Sequence, residues 1–588
     1  MFLLNIKRFV KSPVFLVASV CYVVMLYTMV SVQKPTVIED VSNSALVTQT
    51  FSFLFFMILS YEFFYQTRRH KMNEIIAVSK LGEWKEKMYG LLLFSLFDLV
   101  LSITYFVTSV WGFQCVIGEV NQDWNIMLLQ VCFEYHFLLY LFAILVGMLA
   151  SMIQSRLCGF TFLLGVFSVF SRVMLPIIMQ FVNFSVRLTH IFDVLGIMNR
   201  SFGAFLDLFY NYSTEAVNIQ RIMVWILLTT FLLALSMSRK KINVVTIGTL
   251  LATIVMFVLY IQPSGERYIS GDWGVYMADQ HYYSQLFYSG VQVGYEDAEN
   301  YEGIGRKYKD ADFQIQSYTG ELSAKRLLKA SIDVVIDKDN LDEYCFTLYH
   351  GYDIKKITDQ DGNHLPFEQD VDHVLIKNPS KSKIEKIHFE YAGYSRKYVA
   401  TNQAIFLAGN FPYLPYPGWM EYKPELVDGV FDTGSYNLRG LPYETEYDIS
   451  FDTEKKILSN LEEISPSRFA GKSQGATFVQ SKFMRERKLK HGTLYYSMLD
   501  AQYYEKNIEY TIAEWERNLE NAHIPMWGED LKIFDVACMG DGDLAWYMAS
   551  DHTIDFEPEL GEFYLENGYT PNYMEMDDDT ESEDEEVD

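Results

Sequence analysis

The sequence predicts an α-helical multi-pass membrane domain of about seven spans. A mainly β extracytoplasmic domain with a short α/β C-terminal segment follows it. Three observations predict this. Seven apolar runs near spanning length lie within residues 1–262, and no comparable run follows. Lys and Arg collect in alternate loops between those runs. From residue 313, short β-branched and aromatic runs alternate with turn residues.

The runs cover 14–32, 49–66, 88–113, 128–153, 158–182, 221–238 and 242–262. A helix needs about 20 apolar residues to cross the hydrocarbon core of a bilayer. MYGLLLFSLFDLVLSITYFVTSVWGF is long enough even when tilted, whereas FSFLFFMILSYEFF is short. The first run is too long for a signal peptide and has no small-residue cleavage site after it, so it reads as a retained span.

The loop charges set the orientation. Lys7, Arg8 and Lys11 precede the first run, and Arg68, Arg69, Lys71, Lys80, Lys85 and Lys87 separate the second from the third. Arg156 lies between the fourth and fifth, and Arg239, Lys240 and Lys241 between the sixth and seventh. The other short loops carry few bases and several acids, Glu39, Asp40, Glu119 and Asp123. Positive loops face the cytoplasm. The amino terminus is therefore expected inside and residues 264–588 outside, in a multi-pass protein of the cell membrane.

Charge divides the chain in the same place. Residues 1–262 hold 18 Lys and Arg against 13 Asp and Glu, a net of +5. The whole chain is −27, which leaves −32 on the remainder. A domain this acidic excludes nucleic acid as a partner.

The expected domains are a membrane domain at 1–263, a Tyr- and Gly-rich linker region at 264–312, a β-rich domain at 313–500, a short α/β segment at 501–570 and an acidic disordered tail at 571–588. SIDVVID, EYCFTLYHG, HVLIKN, KIHFEYAG, TEYDISFD, ATFVQSKF and GTLYYSML supply the strands, with Asp361-Gly362-Asn363 and Asn378-Pro379 as turns. Ile508, Ile512, Trp515 and Leu519 recur at four-three-four spacing and predict a helix, after which LKIFDVACMG reads as a buried strand. The tail DDDTESEDEEVD has no apolar residue to bury beyond one Val.

Several residues are candidates for chemistry. Asp98, Glu134, His136 and Arg172 lie within apolar runs, where charge is costly and usually functional. Glu134 and His136 are two residues apart, which on a helix points them about 200 degrees apart and prevents shared chelation. They either serve transport or gating, or sit near the outer interface in water. Asp98 has no partner within its own run, and Arg172 is its expected counter-ion. Tyr413, Tyr416 and Trp419 in the loop GNFPYLPYPGW offer a cargo surface, or else pack on the sheet. His350, His364, His373 and His388 lack helical metal-ligand spacing and are expected at surfaces or turns. Cys345 and Cys538 are 193 residues apart without a local pairing pattern. No phosphate loop of the Gly-x-x-x-x-Gly-Lys-Ser/Thr type occurs, so the chain has no ATP site of its own, and no cofactor is implied.

Two resemblances have residues behind them. The segment EFFYQTRRHKMNEIIAVSKLGEWKEKM resembles the cytoplasmic amphipathic connection between the second and third spans of ABC-2-type exporter permeases. It contains Glu62, Arg68, Arg69, Lys71, Glu74, Ile75, Ile76 and Lys87, but has Lys80 where that family usually has Pro. Residues from about 315 to 500 resemble the amino-terminal β-domain of M1-type aminopeptidases. That match runs through LKASIDVVIDKDNLDEYCFTLYHGYDIKKITDQDGNHLPF, KIEKIHFEYAG, AIFLAGNFPYLPYPG and YETEYDISFDTEKKILSNLEE. The M1 zinc motif His-Glu-x-x-His and the Gly-x-Met-Glu-Asn strand are both missing from this chain.

The resemblances imply a membrane subunit of an ABC-type exporter, not itself an enzyme, with a non-catalytic outer β-domain that binds or guides cargo. They imply a separate cytoplasmic ABC ATPase as partner, a homo- or heterodimer of permeases, and contact with membrane lipid. Arg68, Arg69, Lys71, Glu74, Ile75 and Ile76 would form the ATPase-coupling segment. The rival reading is a membrane-anchored, degenerate or truncated M1 peptidase-like protein that binds or senses peptides.

Overall fold

A computed structural model describes residues 2–11, 19–20, 22–23, 38–69, 82–117, 132–170, 193–195, 197–198, 216–238 and 243–262. It also describes most of 309–497, and short pieces at 531–535, 545–548, 553–557 and 562–565. The chain divides into two compact units, Met1–Tyr282 and Tyr283–Asp588. Helices come first and sheets follow.

The first unit contains α1 (Phe2–Val10), α2 (Ile38–Arg69), α3 (Gly82–Ile117), α4 (Leu139–Ala150), α5 (Arg156–Phe170), α6 (Ala216–Met237) and α7 (Val244–Ile261). A π-helical turn, Phe133–Leu138, runs directly into α4. Helices α2 and α4 cross closely because Gly147 presents no side chain to Met57, Ser60 and Tyr61. Phe56 and Tyr140 stack across that crossing with ring centroids 4.7 Å apart. Arg156 at the start of α5 holds Glu62 of α2 at 2.7 Å, and Tyr61 Oη donates to the Arg156 carbonyl at 3.3 Å. Phe9 of α1 sets its edge against Phe94 and Phe97 of α3 at 5.0 and 5.4 Å. Asn243 caps α7 by accepting from the Thr246 N–H at 2.9 Å.

The expectation of about seven spans is corrected here. Among the described residues three helices are long and apolar enough to cross a membrane: Trp84–Gly112, Ile219–Met237 and Val244–Ile261. His136–Ala150 and Arg156–Phe170 are apolar but shorter. A run of apolar residues records hydrophobicity, not the length of one unbroken helix. The fourth run begins in the π-helical turn and leaves helix at residues 151–153. Ten of the twelve residues of α4 are buried by neighbouring helices, so its apolar character serves the protein core. By contrast α7 exposes Val245, Ile247, Leu251, Ile254, Val255 and Val258, and α3 exposes Leu92, Leu96, Leu99, Val100, Ile103 and Val107. Most of the first run and the end of the fifth lie outside the described residues.

The second unit is built of strands. They are β1 (Ile315–Ala324), β2 (Leu328–Ile336), β3 (Glu343–Thr347), β4 (Tyr352–Asp359), β5 (Phe367–Asp370), β6 (His373–Lys377) and β7 (Lys386–Gly393). After these come β8 (Ile405–Leu407), β9 (Tyr416–Pro417), β10 (Tyr422–Val427), β11 (Val430–Tyr436), β12 (Thr445–Phe451), β13 (Leu458–Ser459), β14 (Glu462–Ser465), β15 (Arg468–Ser473) and β16 (Phe478–Gln480). The remainder are β17 (Met484–Lys488), β18 (Gly492–Ser497), β19 (Leu531–Asp535), β20 (Ala545–Met548), β21 (Thr553–Glu557) and β22 (Glu562–Leu565).

The main sheet has seven strands in the order β14-β15-β12-β1-β2-β7-β4. Its pairs are antiparallel except β1 with β12, which joins distant segments in parallel. Alternation in KIHFEYAG becomes the strict inward-outward pattern of β7, which buries Ile387, Phe389 and Tyr391. A four-stranded sheet, β5-β6-β3-β9, packs on it, with Phe346 of β3 edge-on to Phe389 at 5.2 Å. Gly320 is required in β1, since a Cβ there would stand 2.2 Å from the Ser331 carbonyl of β2. Strands β17 to β22 form a separate six-stranded sheet, in which LKIFD is β19. The predicted helix at 503–523 and the acidic tail lie outside the described residues.

Candidate functional site

Among the described residues, the core of the helical unit holds a polar cluster contributed by three helical segments and Tyr22. Helix α3 supplies Asp98, Ser102 and Tyr105, spaced four and three so that they share one face. The π-helical turn and the start of α4 supply Glu134, His136 and Tyr140, with Cys132 just before them. Helix α2 adds Ser52, and the helical residues 22–23 add Tyr22. Asp98 and Glu134 are fully buried, and His136 is 2% exposed. None of the three therefore sits in water at an interface.

The contacts are specific. Ser102 Oγ donates to Asp98 Oδ1 at 3.3 Å, and Cys132 Sγ donates to the Ser102 carbonyl at 2.9 Å. His136 lies against the Tyr105 ring with centroids 3.5 Å apart and meets the Tyr140 ring edge-on at 5.2 Å. The hydroxyls of Tyr22 and Tyr140 face one another, Ser52 stands beside Tyr140, and Asp98 is within electrostatic reach of both tyrosines. Asp98 Oδ2, Ser52 Oγ, His136 Nδ1 and the Tyr22 and Tyr140 hydroxyls are buried without a hydrogen bond of regular geometry to any described residue.

Asp98, Glu134 and His136 stand out in the sequence as charges within apolar runs, and the fold brings all three into the core of one unit. Arg172 lies outside the described residues. Ser52, Tyr22, Tyr105 and Tyr140 do not stand out in the sequence, because a hydroxyl in an apolar run carries no charge signal. Only their convergence marks them. In the coupling segment, Arg68 and Arg69 are the last two residues of α2, while Lys71, Glu74, Ile75 and Ile76 lie outside the described residues.

The loop 409–419 is strapped to the β-unit by tyrosines. Tyr318 Oη donates to the Pro415 carbonyl at 2.7 Å, and Tyr391 Oη to the Tyr413 carbonyl. Tyr413 is itself buried and donates to the Ala476 carbonyl at 2.5 Å, so its ring is not part of an outer surface. Tyr416 and Trp419 are half-buried. Trp419 stacks on the buried His373 at 5.2 Å, with Lys309 Nζ 5.3 Å from its ring centroid. Lys309 also contacts Cys345, which holds its ammonium above the ordinary value, while burial pushes the Cys345 thiol up. Cys345 is a free thiol; Cys538 lies outside the described residues.

Two further histidines are engaged. His350 Nδ1 is 3.0 Å from Asp372 Oδ1, and His388 Nδ1 is 2.7 Å from Asp333 Oδ1. Partial burial raises the Asp333 carboxyl, but bonds from Lys386 and His388 outweigh it and leave it below the usual range. Among the described residues no three His, Cys, Asp or Glu side chains converge as a metal site.

No family model matches the chain, and no curated protein matches it. Solved structures similar to it are of the M1 and leukotriene A4 hydrolase kind, at low coverage. Yeast leukotriene A4 hydrolase in complex with bestatin is 11% identical with a TM-score of 0.24, over 39% of this chain and 39% of that one. An M1 zinc metallopeptidase from Deinococcus radiodurans is 10% identical with a TM-score of 0.21, over 32% of this chain and 47% of that one. The chain thus spans less than half the length of either.

Proposed function

We propose that this chain is the membrane subunit of an exporter, in which the helical unit moves cargo and the β-unit binds or guides it. The observation that carries this reading is the burial of Asp98, Glu134 and His136 inside the helical unit. An anchor needs only apolar helices. Ionisable groups at that depth cost stability and are kept where they act on something that passes. Three helices long and apolar enough to span a membrane support the location. The sequence has no phosphate loop and no His-Glu-x-x-His motif, which supports a division of labour. A separate cytoplasmic ABC ATPase would supply the energy, docking on residues 67–87, and the β-unit would act without hydrolysis.

Co-purification tests this. The chain, solubilised in detergent from its native membrane, should bring down an ATPase in fixed ratio. Glu74→Lys with Ile75→Asp should abolish that association while membrane insertion and protein level stay intact. Recovery of the ATPase at the wild-type ratio from the double variant, or of none from the wild type, would overturn the partnership. Stoichiometric zinc with chelator-sensitive cleavage of aminoacyl reporters would instead establish a peptidase.

A further inference from the structure

We infer that α1 and the Trp84 end of α3 form a surface that binds the headgroup phosphate of an anionic phospholipid through Lys7, Lys11 and Lys85. The inference rests on the membrane reading of the helical unit but on nothing in the ATPase partnership.

The first support is the position of Lys85. It is exposed in the first turn of the candidate span Trp84–Gly112. Met88, Leu92, Leu96, Leu99, Ile103 and Val107 follow it at steps of three and four, so they share one face of α3, and all are exposed. Val107 lies nineteen residues beyond Met88, about 29 Å at 1.5 Å per residue. A hydrocarbon core is about 30 Å thick. Lys85 stands one turn beyond one end of this apolar stripe, and the exposed Trp111 one turn beyond the other. Lys and Trp at those two places match the headgroup levels on either side of a bilayer.

The second support is the way α1 is held. Asn5 Nδ2 donates to the Glu86 carbonyl at 3.4 Å, next to Lys85. The Phe9 ring is buried edge-on against Phe63, Phe94 and Phe97. Asn5 and Phe9 are one turn apart, so one side of α1 is fixed to α3. Lys7 and Lys11 are also one turn apart, lie on the opposite side and are exposed, as is Val10 between them. A helix face that mixes Val with Lys suits the boundary between acyl chains and headgroups.

The third support is charge. In the β-unit Lys356, Lys377, Lys381, Lys383 and Lys386 each have a carboxylate oxygen within 3.7 Å. Arg156 at the start of α5 is held by Glu62. Lys7, Lys11 and Lys85 have no ion-pair partner among the described residues, and Glu86, the acid beside Lys85, is buried. Three uncompensated ammonium groups attract an outside anion. Lipid phosphate is the anion present at that depth, and each base near the surface strengthens the attraction about fivefold. The rival occupant is a protein, because Lys85 falls within the segment assigned to ATPase docking. A docked protein needs these lysines clear of the bilayer, whereas the length and continuity of the stripe set Lys85 at its surface.

The test reconstitutes the purified full chain in phosphatidylcholine vesicles containing phosphatidylglycerol. Quenching of tryptophan fluorescence by brominated forms of the two lipids is compared, and Trp84 reports beside Lys85. Brominated phosphatidylglycerol should quench at a lower mole fraction than brominated phosphatidylcholine. Lys85→Gln should reduce that preference about fivefold. Lys7→Gln, Lys11→Gln and Lys85→Gln together should abolish it, and the three corresponding Arg substitutions should retain it. Lys381→Gln with Lys383→Gln, in the β-unit, should leave it unchanged. The single variant is read if the triple one does not fold. Equal quenching by both lipids in the wild type, or an unchanged preference in the Gln variants, would overturn the site. Loss of the preference in inorganic phosphate, but not in chloride of the same ionic strength, would overturn it in favour of a soluble anion. Loss of ATPase association from the Gln variants with the lipid preference intact would overturn it in favour of a protein contact. Absence of quenching by either lipid would overturn it together with the membrane reading. The exporter reading fails separately, when the wild type brings down no ATPase, and that result leaves the lipid site standing.

Discussion

Replacing Gly147 with Ala should loosen the helical unit, although Ala is the better helix former. A Cβ at Gly147 would stand 1.9 Å from Ser60 Oγ, 2.4 Å from the Met57 carbonyl oxygen and 2.9 Å from the Tyr61 nitrogen. The Ser60 hydroxyl can turn away, at the expense of its 3.1 Å bond to the Met57 carbonyl. The Met57 oxygen is backbone and moves only with α2. Restoring ordinary contact therefore requires α2 and α4 to part by about 1 Å, beyond what a close-packed core absorbs. Overpacking of this kind costs about 1–3 kcal/mol. The gain in helix propensity offsets about 0.5–1 kcal/mol. The net expectation is a loss of about 1 kcal/mol, within a range of about 0–2.5 kcal/mol. Gly165 and Gly248 are internal controls, since a Cβ at either meets no described residue within 4 Å. Gly165→Ala and Gly248→Ala should be neutral or stabilising by up to about 1 kcal/mol. Thermal midpoints of the three variants in detergent provide the comparison. A Gly147→Ala protein as stable as the two controls would refute the close crossing of α2 and α4.

Three further outcomes are expected. Tyr413→Phe should lower the thermal midpoint by removing a buried donor from the Ala476 carbonyl, at a cost of about 1–3 kcal/mol; an unchanged midpoint would count against that buried hydrogen bond. Asp333 has a folded carboxyl held below its ordinary range by Lys386 and His388. The stability it contributes is present above the unfolded carboxylate value of about 3.9 and is lost as pH falls through the lower folded one. Hydrogen exchange of β2 and β7 should accelerate on acidification in the wild type and respond less in Asp333→Asn, and identical profiles would count against the ion pairs. Finally, the alternating basic loops imply that a cysteine at Ser380 is labelled on intact cells while one at Gln66 is spared. Protection at Ser380 would reverse the orientation.

The sequence by itself determined the order of helices before sheets and the positions of many strands. Both follow from local period and composition. KIHFEYAG alternates because one face of β7 is buried, and Asp361-Gly362-Asn363 turns because Gly362 adopts a φ of +82. It also identified Asp98, Glu134 and His136, since charge inside an apolar run stands out in any reading. It did not reveal which apolar runs cross a membrane. Composition is the same whether a Leu faces lipid or another helix, and only packing separates α4, buried on nearly every side, from α7, exposed along most of its length. Nor did it reveal that the Tyr413 ring points inward, because the loop's proline and tyrosine residues suit an open platform and a strapped turn equally. The tyrosine and serine hydroxyls around Asp98 were invisible for a further reason. Tyr22, Ser52, Asp98 and Tyr140 are scattered over 119 positions of the chain and meet only when four helical segments pack together. Local chemistry is written in the order of residues, but which distant polar atoms share a dry interior is decided by the tertiary fold.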